Sequence, residues 1–180
     1  MAKLAIVKLP HSVLRRPAGE VPPAEILSSR IQRLVSDMKD TLAKAPDGVG
    51  LAAPQVSVPL RVFVISSEAS SIDAGMRVDA NDANKPQKWE YHVFINPVLK
   101  KRSREKTTVT EGCLSVPEKF GEVSRPAKVY LEWYDERGKR HGRGFTKFFA
   151  RVLQHETDHL DGLLIVDRAK RMLRVSRGER

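Results

Sequence analysis

The sequence predicts an α+β fold, with antiparallel β-sheets packed around a central buried helix and an amphipathic helix nearer the N-terminus. Three observations carry this. Short β-rich runs recur along the chain, among them Arg61-Val62-Phe63-Val64-Ile65 and Tyr91-His92-Val93-Phe94-Ile95. The runs 128–134 and 142–145 flank Asp135-Glu136-Arg137-Gly138 and form a predicted hairpin. Late in the chain, a helical stretch with Phe149, Val152, Leu153 and Leu160 is apolar nearly all round, as suits a helix enclosed by other elements.

Taken in order, Ala5-Ile6-Val7 reads as a short strand closed by Pro10. Leu14–Ala18 and Val21-Pro22-Pro23 are too rich in proline for regular structure and form an extended, wrapping segment. From Ala24 to Ala45, Leu27, Ile31, Leu34, Met38 and Leu42 recur at helical spacing, with charged residues opposite. Gly48–Gln55 is a loop of small residues, taken alone a plain helix-to-strand connection, whose backbone a ligand could also approach closely. Residues 66–90, rich in Ser, Asp, Asn and Ala, form a surface loop or insert. The strand Tyr91–Ile95 ends at Asn96-Pro97, the basic cluster 100–104 is a solvated turn, and 105–111 is a strand. The late helix starts at Thr146 as N-cap and stops at Gly162; residues 168–180 are a basic tail.

At 180 residues, with 41% hydrophobic and 30% charged side chains, the chain reads as one soluble domain over 1–180. It holds no run near the ~18 apolar residues of a membrane span, and residues 1–8 lack a signal-peptide pattern. With Cys113 as its one cysteine, no intramolecular disulfide can form, so the expected location is cytoplasmic, or organellar after loss of a targeting segment. Lys and Arg number 32 against 22 Asp and Glu, a balance that favours polyanionic partners such as RNA.

The chemistry concentrates in Gln154-His155-Glu156-Thr157-Asp158-His159. On a helix, positions i and i+4 stack, so His155 and His159 can grip one metal ion while Glu156 stays free to move protons. A hydrolytic metal site takes three protein ligands and an open position. Cys113, His11, His92, His141 and the carboxylates are the candidates for the third; Cys113, on a Gly-containing turn after a strand, is preferred. Two rival readings are a zinc endopeptidase, for which only Asp167 and Glu179 lie downstream as ligands, and a basic RNA-binding protein without catalysis.

Three segments, Gly48-Val49-Gly50-Leu51-Ala52-Ala53-Pro54-Gln55, Glu111-Gly112-Cys113-Leu114-Ser115 and Gln154–His159, stand in this order and resemble the signature motifs of the peptide deformylase family. The resemblance runs from about residue 5 to about residue 167. It implies a metal-dependent hydrolase that removes the formyl group from N-terminal formylmethionine of nascent polypeptides, with metal-bound water attacking the formyl carbon. Cys113, His155 and His159 would be the metal ligands and Glu156 the general acid/base, with Gln55 and the Leu114 N–H binding the oxyanion. Val49, Gly50, Leu51, Val109, Gly112, Phe148 and Val152 would contact substrate, and Glu111 and Arg125 would form a structural ion pair. The implied cofactor is one divalent ion per chain, Fe(II), with Ni(II), Co(II) or Zn(II) as substitutes. The implied partners are N-formylmethionyl peptides and, through the basic tail, ribosomal RNA; no membrane is involved.

Overall fold

The computed structural model describes residues 4–45, 48–73 and 90–174. Two antiparallel sheets and one long buried helix position everything that follows. The five-stranded sheet has the order β1 (Gly50–Ala52), β2 (Val62–Ser66), β3 (Tyr91–Arg102), β6 (Lys128–Tyr134) and β7 (Arg140–Thr146). The three-stranded sheet has the order β4 (Lys106–Glu111), β5 (Lys119–Pro126) and β8 (Ala169–Arg174). The helix α1 (Ser29–Ala43) covers one face of the larger sheet, and α3 (Lys147–Leu160) lies against the other.

These faces follow from the period-2 alternation of strand side chains. Phe63 and Ile65 on β2, with Phe94, Leu131 and Phe145, point to α3 and meet Phe149, Val152 and Leu153. Val62 and Val64 point the other way, with Val93 and Ile95, and meet Ile31, Val35, Met38 and Leu42 of α1. Because α3 also touches β5, it joins the two sheets.

Several elements differ from the sequence expectation. Residues 5–7 form no strand; Val7 and Leu9 instead donate single backbone hydrogen bonds to Gln55 (2.8 Å) and Ser115 (3.0 Å). The first helix begins only at Ser29, because Ser28 caps it by accepting from the Ile31 N–H, and Leu27, expected on the buried stripe, is 66% exposed. Part of the expected loop at 48–55 is strand β1, followed by a 3-10 turn at Ala53–Val56. The insert opens with a short helix, α2 (Glu68–Asp73), packed on α3; residues 74–89 lie outside the described residues.

Asn96-Pro97 does not end β3. The pairing with β6 shifts register between Ile95 and Val98, absorbing the proline, and the strand continues through Lys100–Arg102 rather than turning there. Asn96 adopts φ 49° and its side-chain amide brackets Val21, accepting from its N–H (2.8 Å) and donating to its carbonyl (2.7 Å). The proline-rich segment is thereby pinned to the sheet.

The hairpin β6–β7 forms as expected, and His141 on it is half-buried, stacked on Trp133 and bonded to Asp135 at 2.7 Å. Thr146 stands at the N-cap of α3 without a side-chain capping bond, and Gly162 closes the helix at φ +74°, a conformation that favours glycine. The basic tail is regular structure up to residue 174. Ile165–Arg168 form a short helix, α4, and β8 then pairs with β5, so the main-chain bonds of a strand replace the expected free segment. Residues 175–180 lie outside the described residues.

Candidate metal centre

Helix α3 presents Arg151, His155 and His159 at successive turns of one face, and Cys113 approaches them from the turn after β4. The ligand atoms of Cys113, His155 and His159 lie within 4.8 Å of one another, and Cys113 Sγ is 3.3 Å from His159 Nε2. The imidazole rings of the two histidines meet edge-on, with centroids 5.0 Å apart. A thiol with two imidazoles is a donor set for a soft or borderline divalent ion, and the cluster is small enough for one to bridge all three.

Glu111 holds His155. Its Oε2 is 3.0 Å from His155 Nδ1, and its carboxylate receives the Arg125 Nε and Nη2 groups at 2.7 and 2.9 Å. Arg151 adds a further bond, donating from Nη1 to Glu111 Oε1 at 2.6 Å. Arg125 continues to Asp158 Oδ2 (2.8 Å), and Asp158 Oδ1 accepts from Arg168 at 2.7 Å. The Glu111–Arg125 pair expected from the sequence is thus the middle of a larger buried network; Arg151, Asp158 and Arg168 were not anticipated. Burial pushes Glu111 up, but hydrogen bonds from His155 and Arg125, and their charges, outweigh it and hold the carboxyl at about 2. Burial lowers His155, yet its bonds to Cys113 and Glu111 raise it well above an ordinary imidazole. His159, lowered by burial and by the charges of His155 and Arg125, falls well below.

Glu156 is 3% exposed, and its Oε2 is buried without a hydrogen-bond partner. Burial raises its carboxyl to about 7, against the opposing charges of His155 and Arg125. The carboxylate rests on Gly50: a Cβ built at that position would overlap Glu156 Oε1 and stand 2.8 Å from its Cδ. The close approach requires glycine there.

Gln55, 2% exposed in the 3-10 turn after β1, accepts the Ala52 N–H at Oε1 (2.8 Å). That bond assigns the amide orientation and turns Nε2 toward Ser115 Oγ (3.2 Å) and Cys113 Sγ (3.9 Å). A neutral donor therefore faces the cluster. Leu114 follows Cys113 and packs with the α1 core.

The expected substrate residues fall into separate groups. Val49, Phe148 and Val152 pack in the same apolar cluster on the α3 side. Leu51 is fully buried, with its side chain packed toward α1. Val109 lies on β4 and is 46% exposed, outside that cluster. Both β1 and β4 are edge strands of their sheets, so each has main-chain groups on an unpaired side among the described residues. Ser115, the partner of Gln55, was also not singled out from the sequence.

The family model described as polypeptide deformylase matches residues 3–175. A peptide deformylase of Novosphingobium aromaticivorans is 40% identical over 178 residues, covering 97% of this chain and 93% of the relative. Peptide deformylase 1A, chloroplastic/mitochondrial, of Arabidopsis thaliana is 43% identical over 163 residues, 91% of this chain and 60% of that protein. The Met-Ala-Ser-bound class I type b peptide deformylase of Acinetobacter baumannii superimposes with a TM-score of 0.77 at 31% identity, covering 93% of this chain and 98% of that one. The Thermotoga maritima enzyme gives 0.77 at 30% identity, covering 95% and 100%.

Proposed function

The chain belongs to the polypeptide deformylase family, and from that membership we propose how its own residues divide the work. The activity is metal-dependent hydrolytic removal of the N-formyl group from nascent polypeptides. This sets aside the endopeptidase and RNA-binding alternatives as the primary function. The proposal concerns one catalytic domain over 1–180, built on the helix that carries the His-Glu-x-x-His sequence, and the roles of its side chains.

Cys113, His155 and His159 would hold the ion; the observation that supports this is the 4.8 Å cluster of their ligand atoms. The ion, when bound, makes water a usable nucleophile at neutral pH. Glu156 would hold the proton that the attacking water gives up and pass it to the departing amine. In the metal-free protein burial raises this carboxyl, the direction that suits a group that both takes and returns a proton. Gln55 Nε2 and the Leu114 N–H donate to the oxygen that gains charge as the formyl carbon becomes tetrahedral. Glu111, through its bond to His155 Nδ1, leaves Nε2 as the ligand atom.

The peptide docks as an added strand on the open edge of β1, with Gly50 and Leu51 offering backbone groups and Gly112 on the facing segment. The methionine side chain enters between Val49, Phe148 and Val152, with Val109 at the open rim. The Acinetobacter protein is described with Met-Ala-Ser bound, a peptide that this arrangement would accept. We assign Fe(II) as the physiological ion, with Ni(II), Co(II) or Zn(II) as substitutes, and the cytoplasm as the working compartment. No helix among the described residues is long and apolar enough to cross a membrane.

Contact with ribosomal RNA now rests on β8 rather than on a loose tail. Lys170, Arg171 and Arg174 are exposed there, whereas Arg168 is engaged by Asp158. Reversing those three charges should reduce ribosome co-sedimentation and flatten its salt dependence; unchanged binding across salt rejects the contact.

The deciding experiment pairs elemental analysis of anaerobically purified protein with hydrolysis of formyl-Met-Ala-Ser. The expected result is one ion per chain and release of formate, with the Met-Ala bond intact. Cleavage within the peptide without formate release would overturn the assignment.

A further inference from the structure

We propose that Arg151 is a positioning residue for the metal centre, acting through Glu111 on His155. The inference rests on the reading of Cys113, His155 and His159 as the ligands. Arg151 lies one helical turn before His155, so the two side chains leave α3 on the same face and converge on one carboxylate. It is 6% exposed, unusual for an arginine on a helix, and its guanidinium hydrogen bonds converge on the same corner. Nη1 donates to Glu111 Oε1 (2.6 Å) and the Val123 carbonyl (3.0 Å); Nη2 donates to the Thr107 carbonyl (2.7 Å) and hydroxyl (3.0 Å).

Helix, β4 and β5 are thereby tied together at the carboxylate that orients a ligand. Glu111 Oε1 receives two guanidinium groups, from Arg125 and Arg151, which leaves Oε2 to be shared by Arg125 Nη2 and His155 Nδ1. With Arg151 removed, Oε1 keeps one donor and the carboxylate can rotate toward Arg125. His155 then loses the acceptor that keeps its proton on Nδ1 and its Nε2 free for the ion.

The sign of the effect separates this role from two others. A cation removed from the neighbourhood of a bound cation should tighten metal binding by electrostatics alone. A residue that only braces the fold should change stability and leave the affinity of the folded protein unaltered. Loss of positioning weakens binding, and such outer partners typically contribute about 10- to 100-fold in affinity.

The test uses Arg151→Met and Arg151→Lys in the full chain, each confirmed folded when metal-free by circular dichroism. Zinc affinity is measured by chelator competition, and the tautomer of neutral His155 in the metal-free protein at alkaline pH by nitrogen-15 NMR. The expected outcome is zinc affinity about 10-fold or more weaker in the Met variant, partial recovery in the Lys variant, and a mixed His155 tautomer in the Met variant. Equal or tighter zinc binding with an unchanged tautomer overturns the proposal. If the Met variant does not fold, the Lys variant alone decides, since it must lie below wild type in affinity. Wild-type protein that fails to bind one zinc, or binds it undiminished in Cys113→Ser, would instead overturn the ligand assignment.

Discussion

The carboxylate of Glu156 lies directly on the backbone of Gly50, so closely that no other residue fits at position 50 without moving it. The strand edge proposed for substrate and the group proposed for proton transfer are therefore in van der Waals contact. Gly50→Ala should retain the metal while turnover falls by about 100-fold or more, because a proton carrier displaced by about 1 Å loses its alignment. Steady-state kinetics beside metal content checks this; full activity would show that Glu156 tolerates the shift.

Glu156→Ala should keep its metal and lose about 100- to 10,000-fold in turnover, the range usual for a general acid/base. Unchanged turnover would remove Glu156 from the mechanism.

In the metal-free protein the same carboxyl gives a pH signature. Its folded pKa of about 7 lies above the ordinary 4.5, so the folded state binds more protons than the unfolded state between those values. Its contribution to stability therefore falls as pH rises through that window. Glu156→Gln removes the burden, and should gain on wild type by about 1–3 kcal/mol between pH 5 and pH 8. Denaturant titrations of the stripped proteins at the two pH values measure the difference; a constant gap contradicts the buried carboxylate.

Glu111 has the opposite sign. With its folded pKa near 2 against 4.5, it stabilises fully above 4.5 and loses that contribution as pH falls toward 2. Glu111→Gln leaves Arg151 without its anion and Arg125 with only Asp158, and should cost about 3–5 kcal/mol at neutral pH, with less further loss on acidification. An acid-unfolding curve parallel to that of wild type would contradict this.

Gln55→Leu removes a neutral donor and preserves the volume. The expected loss is about 100- to 1,000-fold in kcat with little change in KM, because the bond would strengthen only as charge develops. A change confined to KM would reassign Gln55 to ground-state binding.

The sequence exposed those parts whose information is local. His155 and His159 sit at i and i+4, and the geometry of one helix does the rest. The same rule places Arg151 on their face, four residues earlier, but nothing local shows that its charge meets a buried carboxylate. β5 was not legible: Lys119 to Pro126 mixes Gly, Ser and charges, and it is a strand because β4 and β8 flank it. β8 was hidden likewise, since its basic residues resemble a tail until pairing with β5 supplies the ladder. β3 reads as ending at Asn96-Pro97 because a register shift cannot be seen without the partner strand. The network through Asp158 and Arg168 joins residues whose separation in sequence says nothing about contact.

The C-terminal segment that answers Asp158 also bears on when the centre can come into being. Gln55 meets Ser115 across 60 residues, Cys113 meets His159 across 46, Arg61 meets Asp161 across 100, and Arg15 meets Asp167 across 152. Closing such loops is entropically slow relative to forming a helix or hairpin. The hairpins β4–β5 and β6–β7 and helix α3 rest on local contacts, whereas the ligand cluster and the β5–β8 pairing join distant segments of the chain. A ribosome must therefore extrude the chain beyond His159 before Cys113 can meet its two imidazole partners, so the β1 and β4 segments are already made when the ligand cluster can first form.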